Sequence, residues 1–488
     1  MKIATGPDIR PHVPIDRRAG VSLHQQIYDG LQRAILAGRL RPGQRLPSTR
    51  ALAIELEMSR LPVLTAYEQL LHEGYLDGRV GSGTFVSDAL PDDALRSIPL
   101  ANNAIARVAK RRHTPVAPRS RDEGGLRPFR LSLPALDQFP HATWARLVAR
   151  HAHALTPAQM AYGDPAGVGA LRSAIAEHLR TARAVQCEAE QVMVVSGSQA
   201  ALRICAAVLL SSGQRVAVEE PGYHGARMAL AASGADLVSI PVDDDGMNVA
   251  ALRRLGRRVR AAYVTPSHQY PLGASMSAAR RLALLDWAEH NQAWVLEDDY
   301  DSEYRYVSRP LGALQGMDAH GRVIYIGTFS KVLFPSIRVG YLVVPASLWD
   351  AFIEAREAFD LFSPTLYQLA LADFLREGHF SRHLRRMRTV YTARRGALLD
   401  GLARHCHDTL TVHNADAGLH VATFLPAGVD DIAVTRRLQE CRVTATALSP
   451  CYAGAARRSG LLLGFGGSPE RRLLEATRTL GDVLAEFV

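Results

Sequence analysis

Lysine is almost absent from this sequence. Only Lys2, Lys110 and Lys331 occur among 488 residues, against 54 arginines. A guanidinium is never deprotonated in proteins and cannot act as a nucleophile, whereas a desolvated lysine amine can. Lys331 alone lies in an apolar stretch, "GTFSKVLFPSIRVGY" at 327–341. A chance surface lysine is the alternative, but the scarcity of lysine favours amine chemistry at Lys331.

Cysteine and long apolar runs are also scarce. The five cysteines are scattered and form no CxxC, which fits a reducing compartment. Cys406 lies between two histidines but lacks further ligands at zinc-like spacing, so no metal site is predicted. The first thirty residues contain no apolar signal segment, and no apolar run reaches the length of a membrane span. We therefore expect a cytoplasmic protein with no membrane partner.

The positive charge is concentrated at the N-terminal end. The formal net charge is +9, of which residues 1–87 and residues 88–128 carry +3 each, while the remaining 360 residues carry only +3. This distribution is expected where the N-terminal end contacts a polyanion, although a solvated basic surface would look the same.

Residues 12–87 have the pattern of a winged helix-turn-helix. Apolar residues recur at helical spacing over 23–37, after a cap at Ser48 or Thr49, and again from about residue 60. The glycine-rich segment "DGRVGSGTFV" then predicts a short hairpin. Pro62 disfavours the helical conformation at Leu61, which predicts that the third helix begins a residue late.

A linker and an α/β domain follow. Residues 88–128 are rich in proline, alanine and arginine, which is typical of a linker. Residues 129–488 alternate buried strands with helices, which predicts a mostly parallel sheet. The strands are expected at 191–196, 214–221, 261–266, 293–299 and 322–328.

Polar residues follow these strands, where parallel sheets bind ligands. Small residues at 196–199 open a helix and suit a phosphate, although an ordinary capping turn would look similar. Arg338 can grip a phosphate, and Asp298 ends a strand 33 residues before Lys331. A lysine amine, a buried carboxylate and a phosphate cradle are the requirements of pyridoxal 5′-phosphate: the lysine forms the Schiff base, and the carboxylate keeps the ring nitrogen protonated.

The whole chain resembles the MocR subfamily of GntR-type bacterial regulators. Its motifs include "PSTRALAIEL", "YGDPAGVGALRSAIAEHL", "EEPGY", "TPSHQYPLG", "EDDYDSEYRY" and "TFSKVLFPSIRVGY". The resemblance implies a winged helix joined to an aminotransferase-like domain of fold type I that binds pyridoxal 5′-phosphate.

The resemblance assigns roles around the cofactor. Lys331 would bind its aldehyde, Asp298 would pair with the pyridine nitrogen, and Tyr300 would donate to the ring hydroxyl. Tyr223 would stack on the ring, and Tyr162 would reach the phosphate of the other subunit, which implies a homodimer, with domain swapping as one arrangement. Four residues would hold the phosphate: Ser198, Gln199, Ser330 and Arg338.

Two departures from aminotransferases reduce the expectation of turnover. Tyr270 stands where those enzymes have an asparagine, before Pro271. The strand that usually carries an arginine for the substrate carboxylate reads "LLLGFG" at 461–466. The candidate substitutes are Arg227, Arg457 and Arg458.

In the winged helix, the resemblance implies DNA contacts from Arg50 and Arg60, phosphate contacts from Ser48 and Thr65, and a wing containing Gly81 and Gly83. The leading interpretation is a transcriptional regulator that binds promoter DNA and senses a small amine, an amino acid or the cofactor itself. The alternatives are an active aminotransferase with an appended DNA-binding domain, and a cofactor-binding protein with neither role.

Overall fold

The structure is a computed structural model that describes residues 9, 13–17, 19–79, 81–88, 90, 126–307, 312–456 and 458–487. The chain divides into two compact units, residues 1–121 and 122–488. Most of the predicted linker at 88–128 lies outside the described residues.

The N-terminal unit packs three helices against a two-stranded hairpin. Its elements are α1 (Leu23–Leu36), α2 (Thr49–Glu55), α3 (Arg60–His72), β1 (Leu76–Arg79) and β2 (Gly83–Val86). Apolar side chains at helical spacing, including Leu31, Leu52 and Leu70, form one core of their own. Ser48 is the N-cap of α2, because its side chain accepts a hydrogen bond from the N–H of Ala51.

The predicted late start of the third helix is wrong. Helix α3 begins at Arg60, directly after the N-cap residue Ser59, and includes Leu61 and Pro62. Proline in the first helical turn removes only an N–H that has no intrahelical partner there, so the helix tolerates it. Leu61 is 69% exposed, which places it on the outer face of the helix.

The second unit is a three-layer α/β structure with an additional small sheet. Its helices are α4 (His141–Ala154), α5 (Pro157–Met160), α6 (Gly169–Arg183), α7 (Ser198–Leu209), α8 (His224–Ala231), α9 (Val249–Arg253), α10 (Ala278–Asn291), α11 (Trp349–Asp360), α12 (Thr365–Arg376), α13 (His379–His405), α14 (Asp431–Glu440) and α15 (Glu470–Leu484). Its strands are β3 (Val192–Val195), β4 (Arg215–Glu220), β5 (Asp236–Asp243), β6 (Gly246–Met247), β7 (Val259–Val264), β8 (Trp294–Asp299), β9 (Val323–Thr328), β10 (Gly340–Val343), β11 (Thr411–His413), β12 (His420–Phe424), β13 (Thr446–Ala447) and β14 (Gly460–Gly464).

The large sheet brings the ends of several strands to one edge. Its eight strands run in the order β3-β10-β9-β8-β7-β4-β5-β6. Strands β9, β8, β7, β4 and β5 pair in parallel, and β10 is antiparallel to both β9 and β3. Separate apolar clusters cover the two faces, one around α7 and α8 and one around α9 and α10. The residues after β3, β4, β7, β8 and β9 therefore meet at one edge, as parallel sheets require of a ligand site.

The small sheet is antiparallel, in the order β11-β12-β14-β13. Ala422 pairs with Leu462, and His420 pairs with Gly464. Because side chains alternate along a strand, these four residues share one face of the sheet. His420 on that face packs against the rings of His268 and Tyr270. This face therefore lines the edge of the large sheet where the site residues lie. In the described residues, no helix is long and apolar enough to cross a membrane.

Candidate functional site

Lys331 lies on the turn that follows β9. Its side chain is half-buried, and Nζ donates a hydrogen bond to the carbonyl of Ser132 at 3.2 Å. Burial lowers the pKa of Lys331 to about 8, although the carboxylates of Asp301 and Asp298 act in the opposite direction. A neutral amine is therefore accessible near physiological pH, which covalent reaction with an aldehyde requires.

Asp298 is buried near the end of β8. Its Oδ2 accepts a hydrogen bond of 2.8 Å from the hydroxyl of Tyr263, while its Oδ1 is buried with no partner in the described part of the chain. Burial raises the pKa of this carboxyl to about 7, and the Tyr263 hydrogen bond and Lys331 oppose the shift. A buried acceptor without a donor is costly. The pyridinium N–H of the predicted cofactor is a donor of the kind that Oδ1 lacks.

Aromatic side chains surround this position. The ring centroids of Tyr223 and Tyr270 lie 5.5 Å apart, and those of Tyr270 and Tyr300 lie 6.2 Å apart. Gln199 donates to the hydroxyl of Tyr223 at 3.3 Å. The structure thus brings the predicted stacking residue and the predicted hydroxyl donor to the same edge as Asp298.

Three of the four predicted phosphate residues, Ser198, Gln199 and Arg338, lie at the start of α7. Gly197 adopts a φ of +94°, and α7 begins at Ser198, so the backbone N–H groups of the first helical turn face the strand edge. The guanidinium of Arg338 donates to the carbonyl of Ser196, and a Cβ added at Gly197 would lie 3.2 Å from it. The positive φ favours glycine at 197. Ser330 follows β9, and its N–H donates to the hydroxyl of Thr328 at 3.2 Å.

Tyr162 is the predicted site residue that this chain does not bring into its own site. Its side chain is 86% exposed and makes an edge contact with Phe362, with 6.1 Å between the ring centroids. An exposed position suits the predicted reach into another subunit.

The two units match two known families. Residues 23–86 match the bacterial regulatory proteins of the gntR family, and residues 135–463 match aminotransferase class I and II. The probable rhizopine catabolism regulatory protein MocR of Rhizobium meliloti is 42% identical over 96% of this chain and 94% of its own length. The pyridoxine biosynthesis transcriptional regulator PdxR of Corynebacterium glutamicum is 33% identical over 98% of each chain.

The chain belongs to the MocR subfamily of GntR-type regulators. Its N-terminal unit is a GntR winged helix-turn-helix, and its large unit has the aminotransferase fold of type I, as the sequence predicts. LysN, the α-aminoadipate aminotransferase of Thermus thermophilus, is a solved structure with a TM-score of 0.69 and 29% identity, covering 74% of this chain and 93% of that one. That structure contains a phosphopyridoxyl-leucine, so fold and family agree with pyridoxal 5′-phosphate as the cofactor.

Two of the three candidates to replace the missing carboxylate arginine, Arg227 and Arg458, have other contacts in this MocR-type chain. Arg227 is buried and forms an ion pair with Glu220, and it also donates to Ser239. The guanidinium of Arg458 stacks over the ring of Phe424 at 4.5 Å, and Arg457 lies outside the described residues. On the small sheet, Leu462 instead packs in an apolar cluster with Leu272, Ala422, Leu448 and Cys451.

In the winged helix, the predicted DNA-contacting residues lie on α2, α3 and the hairpin. Arg60 Nε donates to the hydroxyl of Thr49 at 3.0 Å, which ties the start of α3 to the start of α2. The Thr65 hydroxyl donates to the carbonyl of Leu61, whereas Arg50 is an exposed residue of α2. Gly81, in the turn of the hairpin, and Gly83, the first residue of β2, both adopt positive φ, at +78° and +112°.

Sequence reasoning missed three buried residues at the site, His268, Asp301 and His420. His268 Nδ1 lies 3.0 Å from Asp301 Oδ1, and His420 Nε2 donates to the carbonyl of Pro271 at 3.0 Å. Burial lowers the pKa of His420 to about 4. One potential ligand atom from each of the three lies within 4.8 Å of the others, but both histidines use a nitrogen in hydrogen bonds, and we assign them no metal. In the sequence, His268 stands in "SHQ" and Asp301 in "DYD", and neither motif shows that the two segments meet in the fold.

Proposed function

We propose that this MocR-type regulator binds promoter DNA through its winged helix and responds to a small amine through pyridoxal phosphate held by Lys331. The unpartnered Oδ1 of Asp298, placed at the same sheet edge as Lys331, carries this proposal. Asp298 would pair with the ring nitrogen, Tyr300 with the ring hydroxyl and Tyr223 with the ring face. Ser198, Gln199, Ser330 and Arg338 would hold the phosphate.

When bound, the cofactor supplies an aldehyde that exchanges amines and a ring that withdraws electrons. The protein would supply the amine of Lys331, the buried carboxylate of Asp298 and the donors at the start of α7. An incoming amine would compete with Lys331 for the aldehyde. A ligand that binds two conformations with different affinity shifts their populations without a completed reaction, which suits a sensor.

The cofactor assignment is tested by borohydride reduction and peptide mapping. Reduction should fix the pyridoxyl group on Lys331 alone, because the chain has only two other lysines. Lys110→Arg should leave the labelling unchanged, and Lys331→Ala should abolish it. A reducible yellow form that persists in Lys331→Ala would contradict the proposal.

DNA binding is tested on the promoter region of the gene's own neighbourhood by fluorescence anisotropy. Affinity should fall steeply with salt, because phosphate contacts release counterions. We expect affinity or footprint to change when an amine is added to the cofactor-bound protein, and to be insensitive to the amine in Lys331→Ala. Binding that is absent or insensitive to salt would contradict a regulatory role.

The homodimer is part of the same proposal, with Tyr162 of one chain serving the site of the other. The test mixes Lys331→Ala chains with Tyr162→Ala chains. If Tyr162 acts across the interface, each hybrid dimer regains one complete site, because one chain supplies Lys331 and its partner supplies the tyrosine. If hybrids bind no more cofactor than the parent variants, Tyr162 acts within its own chain or not at all.

An active aminotransferase is the second candidate, because the described residues include those predicted to bind the cofactor. The relatives also include an aromatic-amino-acid aminotransferase of Thermococcus litoralis, 29% identical over 72% of this chain and 87% of that enzyme. The face formed by Ala422 and Leu462 offers no bidentate group for a substrate carboxylate, so orientation would be poor. Rapid, complete single-turnover conversion of the cofactor to its amine form with a common amino acid would favour the enzyme.

A further inference from the structure

A buried triad connects Tyr300 to a carboxylate that the cofactor roles leave unused. The Tyr300 hydroxyl lies 3.0 Å from His268 Nδ1, and the same nitrogen lies 3.0 and 3.1 Å from the two oxygens of Asp301. The side chains of His268 and Asp301 are 1% and 3% exposed. One ring nitrogen is therefore shared between a phenol and a carboxylate away from water.

The ring of His268 is held in this orientation by its surroundings. A Cβ added at Gly418 would lie 2.1 Å from Cε1 of His268, and one added at Gly273 would lie 3.3 Å from Nε2. Both glycines adopt positive φ. The backbone at Gly418 thus closes on the Cε1–Nδ1 edge of the ring, beside Asp301, and the backbone at Gly273 approaches Nε2, which leaves the imidazole little room to turn.

Hydrogen counting fixes the tautomer of His268. If the hydrogen were on Nε2 alone, Nδ1 would direct a lone pair at the carboxylate of Asp301, and a buried N–H would have no acceptor, because Nε2 has no partner in the described part of the chain. With the hydrogen on Nδ1, the ring donates to Asp301 in a charge-assisted bond. Nδ1 then has no free lone pair to accept the hydrogen of Tyr300.

The hydroxyl of Tyr300 is consequently an unused donor. Its oxygen lies against the Nδ1–H, while burial and nearby carboxylates raise the pKa of Tyr300 well above its usual value, so the phenol keeps its hydrogen. In the described residues, His268 is the only group within hydrogen-bond distance of this hydroxyl.

We propose that His268, oriented by Asp301, is a positioning residue that keeps the hydroxyl of Tyr300 as a hydrogen-bond donor toward the ring oxygen of the cofactor. This inference rests on the proposed cofactor site and adds two residues to it. His268 would act only through Tyr300, and Asp301 only through His268 in this role.

A matched pair of substitutions separates this role from simple packing. The amide nitrogen of asparagine can occupy nearly the position of Nδ1, whereas glutamine is one carbon longer and places its amide elsewhere. We expect His268→Gln to weaken binding of pyridoxal phosphate about 10- to 100-fold, the range for a hydrogen bond to a charged partner. His268→Asn should recover most of the affinity, and Tyr300→Phe should lose as much as His268→Gln.

A double-variant cycle tests whether His268 acts through Tyr300. Residues of one network show non-additive effects, so His268→Gln combined with Tyr300→Phe should bind the cofactor no more weakly than Tyr300→Phe alone. The absorption spectrum of the bound cofactor across pH should change alike in the two single variants. His178→Gln, at a histidine in contact with Phe380 rather than Tyr300, is the control, and thermal unfolding without cofactor checks that each variant folds.

Equal losses in His268→Asn and His268→Gln would reduce the ring to a space-filling role and overturn the proposal. Additive losses in the double variant would also overturn it, because His268 would then act independently of Tyr300. These failures are distinct from failure of the proposed function, in which the unaltered protein itself would not bind pyridoxal phosphate.

Discussion

Among single residues, Lys331 combines reactivity with a cost in stability. Its pKa of about 8, lowered from 10.5 by burial, means that the unfolded chain holds more protons than the folded chain between these two values. The free energy of unfolding of the cofactor-free protein should therefore rise with pH over this range, and the penalty is fully present below about pH 8.

Lys331→Met should remove this penalty. We expect the cofactor-free variant to be more stable than the unaltered protein by roughly 1–2 kcal/mol at neutral pH, since one pKa unit corresponds to about 1.4 kcal/mol and partial exposure reduces the effect. The difference should shrink as pH rises from about 8 toward 10.5. Urea unfolding at several pH values measures it, with Lys110→Met as the control; a difference that stays constant with pH would contradict the interpretation.

The sequence predicts the reactive residues better than it predicts the side chains that pair with and orient site residues. Lys331 and Asp298 stand out because scarcity, strand position and spacing are visible along the chain. The partners of Arg227 and His268 are not visible in this way, because Glu220 and Asp301 act through side-chain geometry at the end of folded strands. The sequence alone is equally consistent with Arg227 binding a ligand carboxylate and with Arg227 forming a buried ion pair. The fold decides between them by placing Glu220 beside Arg227.

Within the winged helix, Ser48 has two separable roles at the start of α2. It caps the helix by accepting from the N–H of Ala51 at 3.2 Å, and it is also predicted to contact a DNA phosphate. Ser48→Ala should lower the free energy of unfolding by about 1 kcal/mol and weaken DNA binding. Ser48→Asp keeps a good cap but brings a negative charge to the phosphate, so it should retain stability and lose DNA affinity. If Ser48→Asp binds DNA normally, Ser48 does not face the phosphate.

Arg60 and Arg50, on neighbouring helices, should affect DNA binding differently. If Arg60 reads a guanine, Arg60→Ala should cost about 1–3 kcal/mol at the preferred site and relax sequence preference. Arg50→Ala should weaken binding to all sequences and reduce the salt slope by about one. Arg33→Ala on α1 is the matched control. Binding to specific and random duplexes across salt concentrations separates these outcomes; uniform losses from both substitutions would exclude base reading by Arg60.

The elements that the sequence predicts well are those with one dominant signal. The strands β4, β7, β8 and β9 each contain a short buried apolar segment, and each lies within two residues of its expected bounds. Strand β5 was not predicted, because "DLVSIPVD" is mostly half-exposed and contains a proline. The antiparallel insertion of β10 between β9 and β3 depends on tertiary pairing, which leaves no local trace in sequence.

At the scale of the whole molecule, the chain contains separate hydrophobic cores. The N-terminal unit has a cluster that includes Ile27, Leu52 and Tyr67, and the clusters of the larger unit contain none of its residues. A domain with its own core can fold by itself. The bounds 12–87 predicted from sequence leave out Ile9, which belongs to the N-terminal core, and Leu90, which packs against it.

Separate cores predict separate thermal responses. In the cofactor-free protein we expect two unfolding transitions, because each unit buries its own apolar surface. Pyridoxal phosphate should raise the midpoint of the larger unit by several degrees at about a hundredfold excess over Kd, which corresponds to about 2.7 kcal/mol of added stability. The transition of the winged helix should not move.

Differential scanning calorimetry measures both transitions, and Lys331→Ala should greatly reduce the shift. A single transition that moves as one with cofactor would contradict this prediction, and it would mean that the cofactor site and the winged helix unfold as one cooperative body.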